Sequence, residues 1–415
     1  MLFGTQPLPD SNRGCICCIP LARPSLLRVG YLLTLLATWP TTSLIAAELT
    51  IQAESCAFSS VQDAVTSGSA DMVVNIPAGT CDWGANTLTI PGGISLRGGG
   101  VTATIIRGSL GTGDLITIDC SNGKTSTVSD MTLIGKANPA IWDGGLSLIN
   151  GCKDFLVFNA RFRDFVNRGI SVRGDARGVI FRNEFVNNFR AGQRRGTTGY
   201  GVVVYGDGTW PPLELGTANA VFVEDNVFIG NRHHIASNNG SRYVFRHNTV
   251  TGTKPVKNFS MVDAHGFASA LRGSRSWEIY DNTFSTNLPP GITARTAIGI
   301  AGGDGVIFNN VLATPHTIKK TIELWAPSKT PIYPAKDQMT AGYFWSNSPN
   351  IIINQAPRNF VEGREYFLHA PTNYTPYPYP HPLRSTQTLA PRQPLSSPHL
   401  EVSSLAGCGE TRVSS

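Results

Sequence analysis

The segment from Asn226 to Val250 opens and closes on an asparagine followed by one residue and then an apolar one, and its two asparagines lie 22 residues apart. The same punctuation recurs at Asp130, Asn159, Asn183, Asn226, Asn248, Asn282 and Asn310, at intervals of 29, 24, 43, 22, 34 and 28 residues. The shortest intervals give the period, and the longer ones are that period plus insertions. A fixed period of this length marks a solenoid, in which each repeat can bury its apolar face only against its neighbours.

Inside each repeat the apolar residues alternate over a few positions, as in Ile170 and Val172, Val202 and Val204, or Val221 and Val223, and Gly, Asn and Asp separate the runs. Period two over so short a span specifies strands, and the intervening residues supply corners with positive φ. Three short strands per turn are therefore expected, each about 4.8 Å from its counterpart in the next turn. The recurring asparagine would stack into an internal ladder of amides that satisfies the backbone at one corner.

Composition agrees with one long core that is poor in helix: 41% of the residues are apolar, 15% are charged and 43 are glycine. The net charge is +6, and two of those charges come from the first 47 residues. That is a mild bias towards acidic partners and not the footprint of a nucleic-acid-binding protein.

Residues 1–47 read as an export signal, with Arg13, Arg23 and Arg28, an apolar run over 29–39 closed by Pro40, and small residues at Ala46 and Ala47. The run is too short to span a bilayer, and no other segment could do so. A secreted, periplasmic or cell-surface protein, monomeric in solution, is expected. Residues 48–384 form the solenoid domain, and the Ser- and Pro-rich residues 385–415 read as a disordered tail. An exported chain permits disulfides. Cys56 with Cys81 would staple the N-terminal cap, and Cys120 with Cys152 would link neighbouring turns, leaving Cys408 over. Residues 58–65 suit a short amphipathic helix covering the open end.

This helix is followed by Ile76-Pro77-Ala78-Gly79-Thr80, by Gly93-Ile94-Ser95-Leu96-Arg97-Gly98, and then by the turns with a corner asparagine. Over residues 50–370 the combination resembles the right-handed parallel β-helix of the pectin-lyase-like superfamily. The resemblance implies an all-β fold and action on a polysaccharide. It leaves the reaction open, because that superfamily holds polysaccharide lyases, glycoside hydrolases, epimerases and non-enzymes. Residues 235–249 are similar in rhythm to the central turns of alginate and chondroitin lyases, although no lysine stands beside Asn238 or Asn239. The paired-aspartate and Arg-Ile-Lys signatures of polygalacturonases are missing.

If alternation holds through each strand, the outward residues of one sheet include Ser171 and Arg173, Val203 and Tyr205, His234 and Ala236, and Asp263 and His265. Asp263 would then lie against His234, with His265 on the diagonal. Histidine exchanges protons near neutral pH, and a carboxylate beside it orients the ring and raises its basicity. His234, Asp263 and His265 are accordingly the expected catalytic group for abstracting a proton from a uronic acid. That step also needs the substrate carboxylate neutralised, by Arg173, Arg232, Arg272 or Arg295 or by a divalent cation such as Ca. Tyr205 and His233 complete the expected binding residues. The same three side chains could instead offer three metal ligands with open positions.

The expectation is thus an exported lyase that cleaves an acidic polysaccharide by β-elimination. A hydrolase or epimerase, or a non-catalytic glycan-binding protein, are the alternatives.

Overall fold

The structure is a computed structural model. It describes residues 48–386 apart from 139, 194–195, 254–259, 269–270, 290, 293–295, 319, 326–333 and 355–359. The signal expected over 1–47, nearly all of the tail expected over 385–415, and Cys408 lie outside the described residues. Ser385 and Thr386 belong to a 3-10 turn, Pro382–Thr386.

Three sheets of twelve, ten and nine strands run the length of the molecule, and each turn of the chain gives one strand to each sheet. One turn, for example, places Val221–Glu224, Val227–Ile229 and His233–Asn238 in the three sheets in succession. Pairing between turns is parallel throughout, as from Leu146 to Ile170, Val202, Ile235, Val262, Ile298 and Ile322. All seven of these side chains are buried, so one column of aliphatic contacts threads the core. Parallel strands with every crossover in the same sense make a right-handed parallel β-helix, the fold class expected from the sequence. Strand pairing from one turn to the next leaves the sheets with edges only at the two ends. At the first end α1, Phe58–Ser67, buries Val61, Ala64 and Val65 against the first turns.

Both expected disulfides are formed. Cys56 pairs with Cys81 across 5.8 Å between Cα atoms, and Cys120 with Cys152 across 5.1 Å.

The corner between the twelve- and nine-stranded sheets explains the asparagine repeat. Arg182, Asp225, His247, Asp281, Asn309 and Ser346 each take a positive φ there, and the next residue in every case is an asparagine. In the resulting ladder each Nδ2 donates to the Oδ1 of the following turn, through Asn183, Asn226, Asn248, Asn282, Asn310 and Asn347. Asp130 and Asn159 do not belong to it. They are themselves the positive-φ residues of their corners, and Met131 and Ala160 stand at the ladder position. Asn188 and Asn231 form a second, shorter ladder at the corner leading into the ten-stranded sheet.

The outer face of the twelve-stranded sheet is apolar, and the C-terminal segment covers it. Phe181, Phe222, Val244 and Phe308 pack with Tyr374, Tyr377 and Leu383. Fully buried Arg246 fastens this strap, donating to Glu224, to the Tyr280 hydroxyl and to the carbonyls of Tyr377 and Pro378. Arg384 reaches back to the other oxygen of Glu224 at 2.7 Å. The outer face of the ten-stranded sheet is of mixed character, with Ser171, Val203, Ala236 and Asp263 in one file and Arg168, Tyr200 and His233 in another.

Candidate active site

Five strands of the ten-stranded sheet build this face: β1 Trp142–Ile149, β2 Arg168–Arg173, β3 Tyr200–Tyr205, β4 His233–Asn238 and β5 Ser260–Ala264. The insertion between Asn183 and Asn226 flanks them. It contributes a hairpin, Arg190–Gln193 with Gly196–Thr198, before β3 and a loop over 206–220 after it.

Alternation fails at the start of these strands, and this corrects the expected placement of His234. Arg168, Tyr200 and His233 are in register on the outer face. The next position, Gly145, Gly169 and Gly201 in successive turns, turns inward together with the core residue that follows it: a Cβ there would lie within about 3 Å of the rings of Phe162, Phe185 and Phe228. In β4 that inward position is His234. Its ring is buried edge-on to Phe228 at 5.9 Å, and its Nδ1 meets Nδ2 of Asn231 at 3.1 Å, where it ends the second asparagine ladder. Burial pushes His234 down to about 3. Asp263 is level with Ala236, not with His234.

His233 holds the outward place that sequence reasoning gave to His234. Its Nδ1 lies 2.6 Å from the carbonyl oxygen of Ser260, which can only accept, so Nδ1 carries the proton and Nε2 the lone pair. Burial pushes its pKa down to about 4, which keeps the imidazole neutral at physiological pH. Its ring stacks on Tyr200 at 5.6 Å. The Tyr200 hydroxyl accepts from Nη1 of Arg232 at 3.0 Å, and burial holds this phenol above its ordinary pKa, hence protonated. Arg232 and His233 thus stay on the site face in a single group with Tyr200.

Asp263 and His265 form the adjoining pair, with Oδ2 3.2 Å from Nδ1. The hydrogen bond and charge of Asp263 raise the pKa of His265. Burial pushes the Asp263 carboxyl up, but His233, His265 and Arg232 outweigh it and leave it low. In the next turn the position level with Asp263 is Gly299, where a Cβ would stand 2.6 Å from Oγ of Ser260. A larger residue would therefore displace the serine whose carbonyl orients His233. One turn further on, Glu323 is fully buried and bonded to Thr296 and Lys320.

The remaining expected residues separate into three groups. Arg173 and Tyr205 are in register on β2 and β3, with the guanidinium 4.7 Å from the ring centroid. Arg272 pairs with Asp337 through Nε and Nη2 and stacks on Trp210 at 4.6 Å, clamping the 206–220 loop. Arg295 lies outside the described residues. The three-ligand metal set of His234, Asp263 and His265 is not assembled, because His234 faces the core. Among the described residues no three His, Cys, Asp or Glu side chains gather as a metal cage.

Sequence reasoning did not place Tyr200 against His233 and did not single out Ser260. The signal for Tyr200 was present: it precedes His233 by 33 residues, the same interval that separates Val202 from Ile235.

Fold and site together define a right-handed parallel β-helix with an outer-face histidine, tyrosine, arginine and aspartate cluster. No family model matches the chain, and no curated protein matches it in sequence. Among solved structures it is similar to a PL6 family polysaccharide lyase from Pseudopedobacter saltans, at 12% identity and a TM-score of 0.47, over 78% of this chain and 82% of that one. An alginate lyase from Paenibacillus sp. str. FPU-7 is similar at 14% identity and a TM-score of 0.41, over 78% of this chain and 99% of that one. A protein of Geobacillus virus E2 is similar at 14% identity and a TM-score of 0.41, over 72% of this chain, which spans only 56% of the viral protein.

Proposed function

We propose that the chain is an exported, carbohydrate-active enzyme, a polysaccharide lyase that cleaves an acidic, uronate-containing glycan by proton abstraction and β-elimination. The observation that carries this reading is the neutral His233, whose protonated Nδ1 is tied to the Ser260 carbonyl, beside Arg232 and the protonated Tyr200. Nε2 of His233 is a base in its reactive form at neutral pH. It takes the proton from the carbon bearing the uronate carboxylate, and Arg232 and His265 stabilise the charge that develops there. The electron pair left on that carbon forms a double bond to its neighbour as the glycosidic C–O bond breaks. The Tyr200 hydroxyl gives its proton to the departing oxygen. On this reading the chain acts as a monomer on one polymer strand, and no helix among the described residues is long and apolar enough to cross a membrane.

The test is incubation of the purified protein with alginate, polygalacturonate, hyaluronan and heparosan, with dextran as a neutral control, while following the ultraviolet absorbance of unsaturated uronate ends. Absorbance rising with one or more acidic polymers and not with dextran is expected. New reducing ends without that absorbance would assign hydrolysis instead, and inverted C5 stereochemistry without chain scission would assign epimerisation.

A further inference from the structure

Several arginines of the solenoid are neutralised by a carboxylate: Arg168 by Asp114, Arg242 by Asp175, Arg272 by Asp337 and Arg275 by Asp304. Arg173 is not. It is exposed, and among the described residues it has no carboxylate partner. Its guanidinium is nonetheless held in place, 4.7 Å over the Tyr205 ring of the next turn. A cation that is oriented but not neutralised is poised for an anion from outside the chain.

Arg173 also shares a file with the site. It is level with Tyr205, and Tyr205 with Asn238. Because Ser237 is level with Ala264, His265 follows Asn238 in the same file. Arg173 and His265 are therefore three turns apart, about 14 Å at the spacing of parallel strands. Between them stands the Asn238 side chain, whose Oδ1 has no hydrogen-bond partner among the described residues. Asn238 is half-buried, and its amide oxygen is free to accept from a donor brought to this face. Each turn advances by close to the length that one pyranose adds to an extended chain.

We infer that Arg173, Tyr205 and Asn238 form a second subsite that binds an acidic sugar remote from the bond being cleaved. The polymer lies parallel to the solenoid axis, with one of its carboxylates on Arg173, a ring against Tyr205 and a hydroxyl donating to Oδ1 of Asn238. This inference rests on reading the outer face of the ten-stranded sheet as the substrate face. It adds to that reading a requirement for a polyanion of several units, gripped at both ends of the file.

Affinity electrophoresis in native gels containing alginate, polygalacturonate or dextran reads binding whether or not cleavage follows. Wild type should be retarded by an acidic polymer and not by dextran. Arg173→Gln should weaken that retardation by about tenfold or more, the value of one charge-assisted hydrogen bond. The control Arg97→Gln, which loses the same charge at an exposed pair with Glu48 on another sheet, should bind as wild type does. Asn238→Leu should weaken binding as well. Arg173→Gln retarded as strongly as wild type, or retardation by dextran equal to that by the acidic polymers, overturns the subsite. Binding that depends on Arg173 without any unsaturated product overturns the lyase reading and leaves the subsite standing. Cleavage by the wild type with an unchanged KM for polymer in Arg173→Gln does the reverse.

Discussion

Oδ2 of Asp263 lies 3.2 Å from Nδ1 of His265, two residues further along the chain, and each group holds the other in its charged form. His265 is raised above its ordinary 6.5, so its share of the stabilisation is complete below pH 6.5 and is lost as pH rises through the higher folded value. Asp263 is lowered below 3.8, so its share is complete above pH 3.8 and is lost as pH falls through the lower folded value. The pair is therefore at full strength between those two ordinary values.

Imidazole titration by NMR should place His265 above 6.5, while His233 stays neutral down to about 4. In Asp263→Asn the pKa of His265 should fall, because the influences that remain, burial and the positive Arg232, both oppose its protonation. An unchanged His265 titration in that variant would remove the basis for the pair.

Asn248 sits in the middle of the long ladder. Its Oδ1 accepts from the backbone N–H and the Nδ2 of Asn226, and its Nδ2 donates to the carbonyls of Val223 and Arg246 and to Oδ1 of Asn282. Asn248→Ala leaves several of these groups buried and unpaired, at a cost of about 1–3 kcal/mol each before relaxation. A loss of about 2–5 kcal/mol in urea-induced unfolding is expected. Asn347→Ala, at the last rung, should lose less because fewer rungs depend on it. Equal losses at the two positions would argue against a cooperative ladder.

The period was legible because every turn must repeat the same inward and outward pattern, and a slip of one residue would empty the core. Two adjacent corner positions both favour Asn, one for its tolerance of positive φ and the other for its amide, and spacing alone does not separate them. Asp130 and Asn159 therefore read as rungs when they are the residues before the rung. His234 was misplaced for a related reason: strict alternation was extended through the point where two successive residues turn inward. Three glycines at 145, 169 and 201 marked that point, since a glycine recurring within a strand signals close approach of other atoms. The pairing of Arg272 with Asp337 spans 65 residues and passes through inserted loops of no fixed length, so no periodicity could reveal it.

The C-terminal strap depends on a buried charge. Arg246 and Glu224 are both fully buried, and Nε of Arg246 lies 2.7 Å from Oε2 of Glu224. Removing Arg246 takes away the cation on Oε2 of Glu224 and leaves that buried carboxylate with Arg384 as its remaining cation, so Arg246→Ala should lower stability by about 3–5 kcal/mol. It also removes the donors to the carbonyls of Tyr377 and Pro378. The strap should then detach, uncovering the face that includes Phe181 and Phe222, and dye binding to exposed apolar surface should rise with proteolysis near residue 371. A variant that unfolds at the wild-type midpoint and resists protease would show that the strap holds by its aromatic contacts alone.

The two adjacent histidines give the sharpest discrimination. His233 stands on the outer face with its proton committed to the Ser260 carbonyl, whereas His234 is sealed inside against Phe228 and Asn231. His233→Ala should lower turnover on whichever polymer the wild type cleaves by about 10² to 10⁴, the usual contribution of a positioned base. His233→Gln, which can still donate to Ser260 but cannot take the proton, should be equally impaired while melting close to wild type. His234→Ala should do the opposite, lowering stability by about 1–3 kcal/mol through the lost hydrogen bond and packing while leaving turnover within a few-fold. The inward position holds only glycine in the three preceding turns, so the backbone there accepts a small residue. If His234→Ala were inactive at full stability and His233→Ala active, the base would be His234, and the chemistry would have to reach the interior of the solenoid.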